Sequence, residues 1–259
     1  MTQEALSPDI ILSHLNTREI GRNLVYRTSV SSTMETAHEQ VMLNAPNGTV
    51  IVAGTQENGK GRFDRGWISP EGGVYVSIIL YPAKSALNSL TILASLAVLD
   101  SIEEVSGIKA SIKWPNDVLV SKKKVCGILA VSGESPSQGT YAIVGIGINV
   151  DIDANEYSEI AQTGIGLNSA SGKTISRRIL LCSFLENFEK RYLMMSKGES
   201  QLGEWTEALV TLGQKVTVKT SAETFHGLAE SVDTEGRLKL RIENGDLRII
   251  PAGDVTLKT

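Results

Sequence analysis

The stretch 49–81, TVIVAGTQENGKGRFDRGWISPEGGVYVSIILY, decides how the chain folds. It opens on a short, nearly continuous apolar run, TVIVAG (49–54), and closes on VYVSIILY (74–81), rich in β-branched residues. Both patterns predict buried strands. Between them lies a glycine-rich loop with Lys60, Arg62 and Arg65 inside six residues and Trp67 two positions on. Glycine lets the backbone approach a ligand closely. The guanidinium fork matches phosphate oxygens, and an indole stacks on a flat base or covers an apolar ligand. A solvated basic turn also carries such charges, but not interleaved with glycines and a tryptophan between two buried strands. The loop therefore predicts a nucleotide-like ligand. Gly54-x4-Gly59-Lys60 imitates the start of a P-loop. Gly61 stands where Ser or Thr would hold magnesium, however, and Trp67 and Pro70 stand where a helix would begin.

Outward from this stretch, LVYRTSV (24–30) reads as a strand, and Ser31, Ser32 and Thr33 offer caps to a helix through METAHEQVML. Residues 1–20 form a leading segment with a helical turn or two after Pro8. Downstream, LNSLTILASLAVLDSIEEV (87–105) has helical spacing and a long apolar face. SIKW, DVLV, KKVCGILAV and YAIVGIGINV read as short strands separated by turns. Helices follow over 174–195, entered at a Thr/Ser cap next to Gly172-Lys173-Thr174, and over about 199–210. After a boundary near 211, QKVTVKT, FHGLAESV, RLKLRI, LRIIP and DVTLKT predict five strands of a small SH3-sized β-barrel. Strands and helices mix without strict alternation, so residues 21–210 read as an α+β domain with a mixed, largely antiparallel sheet, followed by 211–259.

Two further constellations carry chemistry. Lys113-Trp114-Pro115-Asn116-Asp117 ends one strand and starts the next, and its hairpin partner returns through Lys122-Lys123-Lys124. Lys113 can aim a single charge into a cleft. Asn116 and Asp117 are candidates for phosphate or magnesium. Lys122 and Lys123 read as a solvated hairpin tip, whereas Lys124 borders an apolar strand and is the functional candidate. In Gly145-Ile146-Gly147-Ile148-Asn149, alternating glycines leave room for a ligand against the backbone, and the Asn149 amide can read an adenine edge.

Composition excludes other classes. The net charge of -4 makes the whole chain no nucleic-acid magnet. The N-terminus lacks a signal-peptide pattern, and no apolar run has membrane-spanning length. Cys126 and Cys182 give neither a disulfide framework nor metal spacing and fit a reducing cytoplasm. His14, His38 and His226 stand far from either cysteine, so neither a zinc site nor a Cys/His pair is expected.

In this order and spacing, GKGRFDRGWISPEGG, KWPNDVLV with KKVCGILA, and GIGIN resemble the biotin–protein ligases, and SSTMETA resembles their Ser-Thr-Asn segment. The resemblance covers roughly residues 20–257. It implies a catalytic domain like that of class II aminoacyl-tRNA synthetases with an SH3-like C-terminal domain. The implied reaction makes biotinyl-AMP from biotin and ATP with magnesium, then transfers biotin to a lysine of a biotin carboxyl carrier domain. Carried over by position, Ser32, Thr33, Met34 and Gln56 line the biotin site, with Lys60, Gly61, Arg62, Lys124 and Gly127. Arg62, Arg65, Trp67, Lys113, Asn116 and Asn149 serve ATP, Arg62, Lys113 and Lys124 carry catalysis, and Asp117 is the candidate for the metal. Three positions depart from the pattern: Lys60 replaces an arginine, Met34 an asparagine, and Gly54-Thr55 a polar or acidic pair. The first motif near residue 28 leaves no room for the DNA-binding domain of repressor members, so no DNA binding is expected. The resemblance to members without the DNA-binding domain implies a homodimer. A lipoate–protein ligase is the nearest rival. An octanoyl transferase would need a nucleophile but no ATP, and a non-enzymatic peptide-binding module would need an aromatic groove that the tail lacks.

Overall fold

The computed structural model describes residues 6–257. The first five residues of the expected leading segment and the last two of DVTLKT lie outside the described residues. The two strands that decide the fold become β2 (Val50–Gln56) and β3 (Gly73–Leu80), antiparallel neighbours with Val50 opposite Ile78. Every residue of β3 is buried, as in a strand covered on both faces. β1 (Leu24–Val30) runs parallel to β2, so a crossover must join them. That crossover is α2 (Thr33–Met42), capped by Ser32, whose Oγ accepts from the Met34 N–H. Then come β4 (Ser111–Lys113), β5 (Asp117–Val120), β6 (Lys123–Ser135) and β7 (Gly139–Asn149). The seven-stranded sheet has the order β1-β2-β3-β7-β6-β5-β4, antiparallel beyond the first pair. The glycine-rich loop thus rises from the middle of a mixed sheet.

Helix α1 covers Pro8–Leu12. Helix α3 (Ser89–Ser106) buries Leu90, Leu93, Ala97 and Ile102 in a core with Val74, Val76 and Ile78 of β3 and Phe184 and Phe188 of α5 (Arg177–Ser196). It stops at Gly107, whose φ of 76° is left-handed. The cap of α5 corrects the sequence reading. Ser176, not Thr174, accepts from the Ile179 N–H at 3.1 Å. Gly172 lies at the end of α4 (Leu167–Ser171), a helix too short to leave an apolar period. Glu189 of α5 is buried and accepts from the N–H groups of Arg18, Glu19 and Ile20 at 2.7–3.0 Å, which ties down the leading segment.

Beyond α6 (Leu202–Glu207) lie β8 (Lys215–Lys219), β9 (Thr224–Val232), β10 (Leu238–Ile242), β11 (Leu247–Ile250) and β12 (Asp254–Leu257). They form an antiparallel sheet of order β11-β10-β9-β8-β12, consistent with an SH3-like fold. Its core is continuous with the larger unit: Ile92, Leu96, Trp114 and Trp205 pack among Val216, Val218, Leu240 and Val255. The Trp114 indole donates to Gly236 O at 2.8 Å, and Ile112 bridges to Leu209. These contacts bring the start of β12 beside the glycine-rich loop. Among the described residues no helix is long and apolar enough to cross a membrane, and Cys126 and Cys182 are both buried in the interior.

Candidate functional site

The glycine-rich loop folds as a ragged hairpin. Gln56 N–H donates to Ser69 O at 3.1 Å, Trp67 N–H to Gly59 O at 2.8 Å, and Gly61 N–H to Arg65 O at 2.7 Å. At its tip Phe63 adopts φ 55°, unusual for an aromatic residue. Beneath this flap lies a cleft of about 610 Å³. Its walls hold Thr33, Met34, Gln56, Lys60, Gly61, Arg62, Arg65, Trp67, Lys113, Asn116, Asp117, Lys124 and Gly127. Residues from Thr33 to Gly127, far apart in sequence, thus converge on one space.

One end of the cleft is neutral and fully wired. Gln56 Oε1 accepts from Thr33 N at 2.8 Å and from Thr33 Oγ1 at 3.0 Å. Gln56 Nε2 donates to Ser69 Oγ at 2.8 Å, and Ser77 Oγ donates to Thr33 Oγ1 at 2.9 Å. Such a set presents donors and acceptors at fixed positions to a polar, uncharged head group.

The other end is cationic. Asp117 receives Lys124 Nζ at 2.6 Å and Lys113 Nζ at 3.2 Å. Burial pushes its carboxyl up, but the Lys124 and Lys113 ammoniums outweigh this and hold it below the ordinary carboxylate range. Arg62 donates to Asn116 Oδ1 and to Gly253 O, each at 3.2 Å, and Asn116 Nδ2 donates to Ile128 O at 2.6 Å. Burial lowers the Arg62 pKa, opposed by the charges of Asp117 and Asp254. Arg65 pairs with Asp254 at 2.9 Å, and Lys60 with Glu35 at 2.6 Å. Each cation of the flap is therefore held by a protein oxygen. Asp117, expected at a metal, has its two oxygens taken by ammonium groups instead. Among the described residues no cluster of three or more His, Cys, Asp or Glu could hold an ion. These residues do not fit a resident metal.

The glycine strand carries a neighbour that the sequence did not reveal. Gly127 and Gly147 are register partners on β6 and β7, and Trp67 lies across both. A Cβ on Gly127 would stand 2.8 Å from the Trp67 ring, and one on Gly147 would enter the ring. At Gly145 a Cβ would stand 2.5 Å from Met34 Sδ. Trp67 and Met34 occupy the space next to these glycines, and Gly127, Gly145 and Gly147 still line the cleft. The Trp67 Nε1 is buried and has no hydrogen-bond partner, and Lys124 Nζ sits 5.0 Å from the ring centroid. Asn149 is buried at the end of β7, outside the walls of the cleft. Ser32 also stands outside them, with its hydroxyl spent on capping α2.

Sequence reasoning missed three parts of the wall. Lys122, read as a solvated tip, lines the cleft because Ser121 and Lys122 both take positive φ in a tight hairpin turn. Ile160, Gln162 and Thr163 reach it because the Lys124 N–H donates to Thr163 O at 2.7 Å and the Ile165 N–H to Lys124 O at 3.0 Å. Asp254–Leu257 of β12 close the cleft from the SH3-like unit.

Comparisons with known proteins bear on the family and the fold. Residues 26–149 match the Biotin/lipoate A/B protein ligase family and residues 211–258 the Biotin protein ligase C terminal domain. The chain is 38% identical over 253 residues to the bifunctional ligase/repressor BirA of Bacillus subtilis, covering 95% of this chain and 78% of that protein. It is 30% identical over 213 residues to the biotin–[acetyl-CoA-carboxylase] ligase of Paracoccus denitrificans, covering 79% of this chain and 88% of that one. The biotin protein ligase of Aquifex aeolicus, solved in complex with biotin and ATP, superposes with a TM-score of 0.78 at 30% identity, covering 92% of this chain and 99% of that chain. A similarity of this extent, along nearly the whole chain and through both matched regions, shows that the chain belongs to the biotin protein ligase family.

Proposed function

We propose that this protein condenses biotin with ATP to biotinyl-AMP and passes biotin to a lysine of a biotin carboxyl carrier domain. The observation that carries the reading is the two-ended cleft under one flap: Thr33 and Gln56 at the neutral end, Arg62, Lys113, Asn116 and Lys124 at the other. The neutral end suits the ureido ring, and the cationic end suits a carboxylate meeting a triphosphate. ATP arrives as its magnesium complex, the metal being part of the substrate.

In the first step a biotin carboxylate oxygen bonds to the α-phosphorus while the bond to the bridging oxygen breaks, and pyrophosphate leaves. The substrate supplies the nucleophile, so the enzyme needs none. Its task is to align two anions and neutralise the charge that develops between them. Lys124 and Lys113 are held ready by Asp117, and Arg62 by Asn116, so little reorganisation accompanies charge development. In the second step a neutral acceptor amine attacks the anhydride carbonyl, AMP leaves and a proton is released. Until then the flap must keep water from the anhydride, with Arg62 and Arg65 exchanging protein oxygens for phosphate oxygens and Trp67 as its apolar cover. The exchange of labelled pyrophosphate into ATP tests the reading. Biotin is expected to support exchange and a biotin carrier domain to acquire biotin on lysine. Exchange with lipoate in preference to biotin, or with no acid, would overturn it.

A further inference from the structure

The neutral end of the cleft ends on a contact between Met34, which the resemblance puts at the biotin site, and Gly145. Met34 follows the wired Thr33 on the first turn of α2 and lines the cleft, with 9% of its surface exposed. Its sulfur rests on the bare backbone of Gly145, where a Cβ would stand 2.5 Å from Sδ and 3.2 Å from Cγ. Leu129, the register partner of Gly145, forms the neighbouring wall. On its inner side Met34 packs with Ala37, Ile51, Ile79 and Ile143. The thioether is thus the movable outer layer of a small fixed core, and the missing side chain of Gly145 decides how far it stands back from the cleft.

We infer that the Met34–Gly145 contact is a specificity element that sets the depth and polarity of the acid pocket. This rests on the reading of the cleft as the site of a ring-bearing carboxylic acid. Polar recognition of the head group comes from Thr33 and Gln56, and Met34 offers an apolar, polarizable wall beside them. The acid class admitted is one with a compact head, polar on one edge and apolar on the other. A Cβ on Gly145 has one flexible neighbour to push, and that neighbour moves into the cleft. Shortening Met34 deepens the pocket and admits longer or more apolar heads. An amide at the same place rejects a head that leaves it unpaired.

The test is a double-mutant cycle read by acid-dependent pyrophosphate exchange. Gly145→Ala is expected to raise the KM for biotin about tenfold while the KM for ATP and kcat stay within about twofold. In the Met34→Ala background the same glycine change is expected to lose most of that effect, because the pushed side chain is gone. Met34→Ala alone raises the kcat/KM of lipoate relative to biotin by about tenfold, and Met34→Asn lowers it by a similar factor. Thermal unfolding of each variant separates lost core packing, which moves stability, from altered selectivity, which moves the acid ratio. If Met34→Ala proves too unstable to assay, Met34→Asn carries the selectivity test by itself. Equal effects of Gly145→Ala with and without the Met34 side chain, or an unchanged lipoate-to-biotin ratio in Met34→Asn, overturn the inference while wild-type exchange with biotin leaves the reading of the site intact. Absence of exchange in the wild type with any acid sinks that reading first.

Discussion

At Asp117 a single carboxylate with 13% of its side chain exposed receives two ammonium groups. Because its folded pKa is lowered, its contribution to stability is complete above the unfolded carboxylate range and disappears as pH falls through the folded value. Asp117→Asn is therefore expected to cost about 2 kcal/mol near neutral pH. The difference from wild type should shrink to nothing in acid, as urea denaturation at the two pH values will show. Gly147 makes a different demand at the same scale, since a methyl group there enters the Trp67 ring. Gly147→Ala should cost about 1–3 kcal/mol through overpacking and shift tryptophan emission to the red as the indole leaves its cover. The sequence exposed the glycines of β7 but not their occupant. A gap in a strand is visible in one dimension, and the side chain that fills it, here more than seventy residues away, is not.

The flap is the element in which charge and conformation meet. Its backbone bridges Lys60 to Gly66 and Gln56 to Ser69, and its cations rest on Glu35, Gly253 O and Asp254. The pair of Arg65 with Asp254 is half exposed, 56% and 38%, so Asp254→Asn should change global stability by about 0–1 kcal/mol. It should nevertheless loosen the flap locally. Trypsin is expected to cut faster at Lys60, Arg62 or Arg65 in this variant without ligand, and biotin with MgATP should protect both proteins. Cleavage at the wild-type rate would mean that this ion pair does not hold the flap. The flap was legible in the sequence because glycine, cation and tryptophan stand side by side. The neighbouring wall of Ile160, Gln162 and Thr163 was not, because it reaches the cleft through backbone bonds to Lys124 that no side-chain pattern encodes.

On the scale of the whole molecule, one apolar cluster joins both units. Trp114 and Trp205 pack with Val216, Val218 and Leu240, and β12 completes the cleft. The chain should therefore unfold in a single calorimetric transition, without a separate early melting of the C-terminal sheet. Two resolved transitions would contradict this. Alternating strands made the SH3-like unit readable from residue 214 onward, and continuous apolar runs did the same for β2, β3 and β7. What periodicity could not convey was docking, because the contribution of Asp254 to the cleft depends on where Trp114 anchors the small sheet.

The claim on which all three scales depend is that the flap retains a biotin–adenylate anhydride. The most direct measurement mixes the protein with biotin and MgATP, strips unbound ligand by rapid gel filtration, and follows release of biotinyl-AMP over time. Wild type should retain the anhydride in near-equimolar amount, and Arg62→Ala should release it about 100-fold faster, in line with the loss of one charge-stabilising donor. Equal release rates for the two proteins, or no anhydride on the wild type, would contradict the account.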